Sequence, residues 1–216
     1  MNFQELQNEL GQTLIESEWH RHSNGDGWVE NTAKVDNSAY IGKNAIVYGN
    51  ARVRGNAQVF GNAWVSGDTQ VSGNAQVHGN AQVFGNAQVF GNARVYGGAQ
   101  VFTNAQVHGN SQVFGNAQVH GDAQVSGDAQ VSGDARVSGD AWEISPLFMH
   151  GSKHSVTTCS HTSLQIGCKK FTVSEWKLKF REIGQQEEYN ESEILEYGII
   201  IELAAQWLES KFPTAS

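Results

Sequence analysis

One period governs the middle of this 216-residue chain. An aliphatic residue recurs at every sixth position from Val35 to Val137 without a change of phase, and a small residue, nearly always Ala, lies two positions before it. Apolar residues two apart are typical of a β-strand, and the Gly-Asn or Gly-Asp that follows tolerates the positive φ of a tight corner. Each hexapeptide therefore predicts a short strand and a corner. Strands this short can bury a face only by stacking in successive coils.

The repeat, NAQVHG or NAQVFG in its commonest forms, resembles that of the hexapeptide-repeat family of left-handed parallel β-helices. Three hexapeptides make one triangular coil in that family, so the resemblance implies an all-β solenoid of about six coils, with residues 18 apart stacked in columns. Proteins of the family usually trimerise side by side, which implies a homotrimer. The resemblance does not fix the function, because the same fold serves acyltransferases, carbonic anhydrases and non-enzymatic proteins.

The period divides the chain into three parts. Residues 1–32 hold an amphipathic helix and a linker, residues 33–141 form the solenoid, and residues 142–216 form a small α+β cap. We expect the apolar stripe of the helix to plug the open bottom of the solenoid or to meet its copies in a trimer. The helix is predicted over residues 2–18, and its stripe consists of Phe3, Leu6, Leu10 and Leu14.

Two strands and two helices are predicted for the cap. SVTTC and LQIGC alternate like paired strands around the turn SHTS. One helix starts at Ser174, and Asn190 with Glu193 forms the capping box of the other. The cap is similar to one on mostly uncharacterised hexapeptide-repeat proteins of bacteriophages and bacteria, which implies no chemistry.

The composition argues against several functions. The chain has 22 acidic and 14 basic residues and a net charge of -8, which disfavours a nucleic-acid-binding surface. It contains no continuous apolar stretch that could cross a membrane, and Glu5 and Glu9 lie where a secretory signal would be basic and then apolar. With only 2 Cys, the chain is predicted to be cytoplasmic, in a bacterial host cell if a phage encodes it.

Large rings recur at the position after the inward Val, which alternation directs outward. One column contains Phe60, His78, Tyr96 and Phe114. Monomers rarely expose a contiguous apolar stripe of this kind, so we expect something to cover it. With the trimer that the resemblance implies, this column is the predicted intersubunit contact.

Basic and aromatic side chains replace the usual Gln and Ser in the first coils. A guanidinium pairs with phosphate and a ring stacks on a base, so this set is a candidate site for an anionic, nucleotide-like ligand. Alternatively, these residues only seat the N-terminal segment or a neighbouring subunit, because the ends of solenoids are often atypical. The set consists of Lys34, Tyr48, Arg52, Arg54 and Trp64.

Acyl transfer is the competing enzymatic function. The acyltransferases of the family use a His as general base, with an extended loop that helps to hold coenzyme A. Here His78, His108 and His120 occupy positions that elsewhere hold Phe, Tyr or Ser, without a neighbouring carboxylate, and no loop interrupts the repeat. We therefore assign no catalytic residue and no cofactor.

Two Cys and two His in the cap raise the question of a zinc site. His154, Cys159, His161 and Cys168 do not follow the C-x-x-C spacing of structural zinc sites. We interpret the two Cys as ordinary residues of a small packed unit and predict no metal.

Together these features predict a non-enzymatic, homotrimeric scaffold that binds or sequesters its target. The resemblance to phage proteins suggests one concrete form, a counter-defence protein that captures a nucleotide-like ligand or a partner protein between subunits. A coenzyme A-dependent acyltransferase is the alternative.

Overall fold

Alternation along each short strand separates an apolar interior from a polar exterior. The computed structural model describes residues 1–213 and is a parallel β-solenoid of about six coils, with an N-terminal helix and a C-terminal α+β cap, which confirms the predicted fold class. The Val of each hexapeptide and the Ala two residues earlier point inward, and Val59 and Ala57 are fully buried. Val59 pairs with Val77, so equivalent residues one coil apart lie on top of each other.

The chain visits three parallel sheets in turn, which we number as faces 1, 2 and 3. Face 1 contains Trp28–Glu30, Ile46–Val47, Trp64–Val65, Gln82–Val83, Gln100–Val101, Gln118–Val119 and Arg136–Val137. Face 2 contains Lys34–Val35, Arg52–Val53, Gln70–Val71, Gln88–Val89, Gln106–Val107, Gln124–Val125 and Ala141–Trp142. Face 3 contains Tyr40–Ile41, Gln58–Val59, Gln76–Val77, Arg94–Val95, Gln112–Val113 and Gln130–Val131.

The corners need glycine for two reasons. Gly61 has a φ of 70°, in the left-handed region that residues with a Cβ avoid. A Cβ at this position would also lie 2.8 Å from the backbone nitrogen of Gly79 in the next coil. A Cβ at such a corner therefore costs both backbone strain and space between coils that stack at the spacing of hydrogen-bonded strands.

Asparagine ladders tie the corners of successive coils together. Asn74 Nδ2 donates to Asn92 Oδ1, Asn92 donates to Asn110, and Asn110 donates to Asp128, each over 3.1 Å. Every amide in the ladder donates toward the C-terminal end, so its last member needs only to accept. A carboxylate satisfies that need, which explains why Asp128 replaces Asn there.

The N-terminal helix, α1 (Phe3–Leu10), lies against the side of the solenoid rather than under it. Gly11 has a φ of 64° and ends α1 well before residue 18, and a 3₁₀ turn follows at Glu16–Glu18. Leu6 is fully buried against the outer surface of the first coils of face 1, in one cluster with Trp19, Trp28 and Ile46.

The bottom edges of two faces are covered by the linker instead. Strand Trp19–Arg21 pairs antiparallel with Trp28–Glu30 and so extends face 1 by one strand. Below face 3, Asn24 Nδ2 donates to the carbonyl oxygens of Ser38 and Ala39. These contacts satisfy polar edges that could otherwise pair with another chain.

The cap contains four strands where the sequence predicted two. Phe148–His150, Ser155–Ser160, Ser163–Ile166 and Lys169–Thr172 form an antiparallel sheet. Helix α2 (Val173–Gln186) begins after the N-cap Thr172, slightly earlier than predicted. Helix α3 (Glu191–Lys211) begins with the predicted capping box of Asn190 and Glu193. Trp207 of α3 stacks on Trp142 of the last coil with ring centroids 6.5 Å apart, so the cap closes the top of the solenoid.

No helix within residues 1–213 is long and apolar enough to cross a membrane.

Thr103 provides a test of the corner geometry, because it is the only β-branched residue with a positive φ, 62°, in residues 1–213. The left-handed conformation costs about 1–2 kcal/mol for a residue with a Cβ, and the extra freedom of an unfolded Gly offsets about 0.5–1 kcal/mol of that. We expect Thr103→Gly to raise the free energy of unfolding by up to about 1 kcal/mol in urea denaturation.

Gly97→Thr is the matched control at an equivalent corner. Gly97 has a φ of 73°, and a Cβ there would lie 3.0 Å from the carbonyl oxygen of Gly115. This variant should lose about 1–3 kcal/mol. Equal stabilities of the two variants and the wild type would contradict the role given to the corner glycines.

Candidate functional site

The predicted column on face 3 is a continuous stack of rings, which we call the face-3 ladder: Phe60, His78, Tyr96 and Phe114. Their successive ring centroids are 4.7, 5.1 and 5.0 Å apart, and the ring planes are within 7° of parallel. Tyr40 extends the ladder downward as a tilted ring 6.4 Å from Phe60. The period alone brings the four ladder rings together, because each lies at the position after the inward Val of successive coils, whereas Tyr40 lies before the inward Ile41.

Shorter ladders occupy the other two faces. On face 1, Phe84 stacks on Phe102, and Phe102 stacks on His120, both with centroids 5.0 Å apart. On face 2, Phe90 stacks on His108 at 4.7 Å. The face-3 ladder is therefore the longest aromatic surface on the solenoid.

Stacking determines what the face-3 ladder can bind. The two inner rings, His78 and Tyr96, have both flat faces covered by neighbours in the same chain. Only ring edges and the Tyr96 hydroxyl point outward, and that hydroxyl donates to Gln112 Oε1 over 3.1 Å. These inner rings therefore cannot stack on a nucleobase or a sugar, but the ring edges can pack against another apolar surface.

Two of the ladder histidines, His78 and His120, lie in surroundings that disfavour protonation. Burial and the nearby Arg94 guanidinium lower the pKa of His78 below its ordinary value. Burial lowers the pKa of His120 as well, with further contributions from Lys170 and Arg136. A general base must become positively charged, so cationic neighbours are the opposite of what that role needs.

The structure divides the candidate ligand-binding residues between two faces. Tyr48 and Trp64 lie on face 1 and pack, partly buried, against the cluster that α1 covers. Lys34, Arg52 and Arg54 are exposed on face 2, where Lys34 pairs with Arg52 in the strand register. The two rings therefore pack in the cluster under α1, which is the alternative role that the sequence left open for them. The three cations form a separate basic patch.

Two aromatic residues of this region have roles that the sequence did not indicate. The guanidinium carbon of Arg21 lies 3.9 Å from the ring centroid of Trp28, and Trp28 and Trp19 both belong to the cluster under α1. The only sequence feature that pointed to these two residues was the high density of Trp before and within the first coils. That density does not show that α1 packs against them.

The cap cysteines differ in environment. Cys159 is buried, and burial raises the pKa of its thiol, whereas Cys168 is exposed. Within the part of the chain that the structure describes, no three His, Cys, Asp or Glu side chains are grouped so that they could hold a metal ion.

A cleft of about 490 Å³ lies where the cap meets the last coils. Its charged lining includes Asp134, Arg136 and Lys153, and Lys153 pairs with Glu193 at 3.6 Å. Because charges of both signs are mixed here, the cleft does not select one class of ligand.

Comparison with known families supports the solenoid assignment. A family model described as YdcK beta solenoid repeat matches residues 57–73, 87–101 and 129–144. Nearly all of these residues lie in the coils, so the match concerns the repeat itself. Searches of curated proteins and of solved structures gave no match.

The lowered histidine pKa values predict a pH dependence of stability. The unfolded chain, with an ordinary pKa near 6.5, binds these protons more readily than the folded chain does. The free energy of unfolding should therefore fall as the pH drops below about 6.5 toward the folded-state values.

In the variant His78→Phe/His120→Phe, the free energy of unfolding should fall less as the pH drops, because its ladders no longer contain these two titrating groups. Urea denaturation of both proteins between pH 7.5 and 5.5 measures the difference. Identical pH profiles would show that the ladder histidines do not resist protonation.

Proposed function

We propose that this protein is a non-enzymatic binding scaffold that assembles as a homotrimer through the face-3 ladder. The observation that carries this proposal is the row of four stacked, half-buried rings whose edges alone face outward. An apolar surface of this length on a protein with a net charge of -8 favours a covered state.

A second copy of the chain fits this surface better than an unrelated partner. The rings repeat once per coil at 4.7–5.1 Å, and a second solenoid presents the same repeat. Two such ladders can interlock at every coil when the solenoids lie side by side. In a closed threefold ring, rotation about the shared axis gives every copy the same contacts.

Face 3 is also the most accessible of the three faces for this contact. Helix α1 covers the lower coils of face 1, whereas the aromatic ladder of face 2 has only two rings. Among the described residues, neither α1 nor the cap helices pack along the face-3 ladder between Phe60 and Phe114.

The basic patch on face 2 supplies the binding part of the proposal. Lys34, Arg52 and Arg54 form no ion pair with a carboxylate within residues 1–213, and their charge contrasts with the acidic chain around them. Because Tyr48 and Trp64 do not lie beside them, the three cations can pair with the phosphate of a ligand, but they offer no ring that could stack on its base. A phage-type counter-defence role in the host cytoplasm, with capture of a signalling nucleotide or a host protein, is one form of this proposal.

The acyltransferase alternative gains no support from the site. Successive coils from Lys34 to Val137 follow at the regular spacing without an inserted loop. The ladder His78 has a ring on each side and Arg94 as its charged neighbour, rather than a carboxylate that would orient it.

The assembly can be tested with Phe60→Glu/Phe114→Glu. This change adds two negative charges per chain to a contact that buries them, so the complex should dissociate. Sedimentation velocity should report a loss of the threefold assembly.

Ser72→Glu/Ser126→Glu is the matched control, because it adds the same charges at the same position of face 2, also three coils apart. It should sediment as the wild type does. A ladder variant that keeps the mass of the wild type would exclude the face-3 ladder as the contact.

The ligand can be tested by calorimetry with nucleoside mono-, di- and cyclic phosphates. Each charge-assisted contact contributes about 1.5–3 kcal/mol, so Arg52→Ala/Arg54→Ala should weaken binding at least about a hundredfold. Lys177→Ala/Lys179→Ala removes the same charge from helix α2 of the cap and should leave binding unchanged. If the wild type binds no phosphate ligand, the basic patch is not a ligand site, and the target is another protein.

A further inference from the structure

The cap contains an apolar cavity that adjoins the cleft between the cap and the last coils. Its volume is about 40 Å³, whereas roughly 10–15 Å³ is enough to hold one water molecule. The cavity therefore has room for an aliphatic group of about three or four carbon atoms. The cap sheet and both cap helices supply its wall, which consists mainly of Ile166, Trp176, Phe180, Ile183, Ile194 and Ile201.

The polar groups of the inner wall already have partners. Trp176 Nε1 donates to the carbonyl oxygen of Leu164 over 2.9 Å, and the Tyr197 hydroxyl donates to that of His154 over 3.0 Å. Burial raises the pKa of Tyr189 to about 12, so this side chain is uncharged at neutral pH. Because a buried water needs about two to four polar partners, the inner wall favours a hydrocarbon group over water.

The cavity and the cleft share part of their walls. His154 and Cys168 line both spaces and are exposed, so a ligand in the cleft can extend into the cavity. Lys169 and Glu187 line the cavity as well, and Lys169 Nζ lies 2.9 Å from Glu187 Oε1. These two charges neutralise each other, so neither excludes an aliphatic group.

The solenoid side of the cleft offers one charge of each sign. Asp134 accepts from the Asn116 amide but pairs with no cation, and Arg136 pairs with no carboxylate, within residues 1–213. Lys153, by contrast, is paired with Glu193. A simple anion or cation would meet one like charge here, whereas a zwitterion can present its carboxylate to Arg136 and its ammonium group to Asp134.

We propose that the cavity and the cleft together bind an aliphatic amino acid, with its side chain in the cavity and its ammonium and carboxylate groups in the cleft. Mixed charge alone selects no class of ligand, but mixed charge beside a small apolar cavity matches this class. The site is separate from the face-3 ladder and from the basic patch of face 2. The inference therefore depends neither on the proposed trimer nor on the proposed phosphate ligand.

Calorimetry with free amino acids tests the proposal. We expect leucine or valine to bind at least about tenfold more tightly than alanine, because one methylene in an apolar pocket changes affinity by about tenfold or more. The analogues 4-methylpentanoate, which lacks the ammonium group, and 3-methylbutylamine, which lacks the carboxylate, should bind at least about tenfold more weakly than leucine. If neither leucine nor valine binds, or if glycine or either analogue binds as tightly, the proposal is overturned.

Cys168 gives a second readout of where the ligand lies. Its thiol is exposed and lines both spaces, whereas the Cys159 thiol is buried. Saturating leucine should therefore slow the reaction of Cys168 with 5,5′-dithiobis(2-nitrobenzoate). An unchanged rate in the presence of bound leucine would place the ligand elsewhere and overturn the proposal.

Two variants test the two parts of the site. Ile183→Phe adds volume inside the cavity, and Arg136→Ala removes the cation of the cleft, so each should weaken leucine binding at least about tenfold. Arg136 is exposed, so Arg136→Ala should keep the wild-type circular dichroism spectrum even if Ile183→Phe does not.

Arg52→Ala is the matched control, because Arg52 is an exposed residue at the same position of another hexapeptide, before the inward Val. It should bind leucine as the wild type does. A folded Arg136→Ala variant with unchanged leucine affinity, or an equal loss in Arg52→Ala, would overturn the proposal.

Discussion

The strict registry between coils is the constraint on which the rest of this structure depends. Val59 on Val77, Asn74 on Asn92 and Phe60 on His78 are three results of the same spacing of 18 residues. One inserted residue would turn inward positions outward and break the interior, the corner hydrogen bonds and the aromatic ladders at once. A change that shifts one of these columns therefore shifts the others as well.

Much of the fold follows from the period, whereas the ends do not. The sequence predicted the coils, the face-3 ladder and the capping box at Asn190, because each depends on local spacing. It did not predict that α1 would lie on face 1 or that the cap would contain four strands. Those features depend on packing between segments without a repeat, such as Leu6 against Ile46 and Trp207 against Trp142.

Stacking also limits the functions that the surface can perform. The candidate site predicted from the sequence needed rings beside cations, but Tyr48 and Trp64 pack with the cluster under α1 on a different face from Arg52. Rings within the ladders likewise cover each other. What remains exposed is a set of ring edges, a basic patch and apolar side chains of the cap helices, and the proposed assembly and ligand binding rest on the first two.

Double electron–electron resonance most directly tests whether face 3 joins the copies. A nitroxide attached at Ser132→Cys would lie one coil above Phe114 on face 3, and one at Ser126→Cys on face 2 would be the comparison, both with Cys168→Ser to remove the exposed native thiol. The account predicts a short distance between copies from Ser132 and a longer one from Ser126. Equal distances, or no coupling from Ser132, would contradict it.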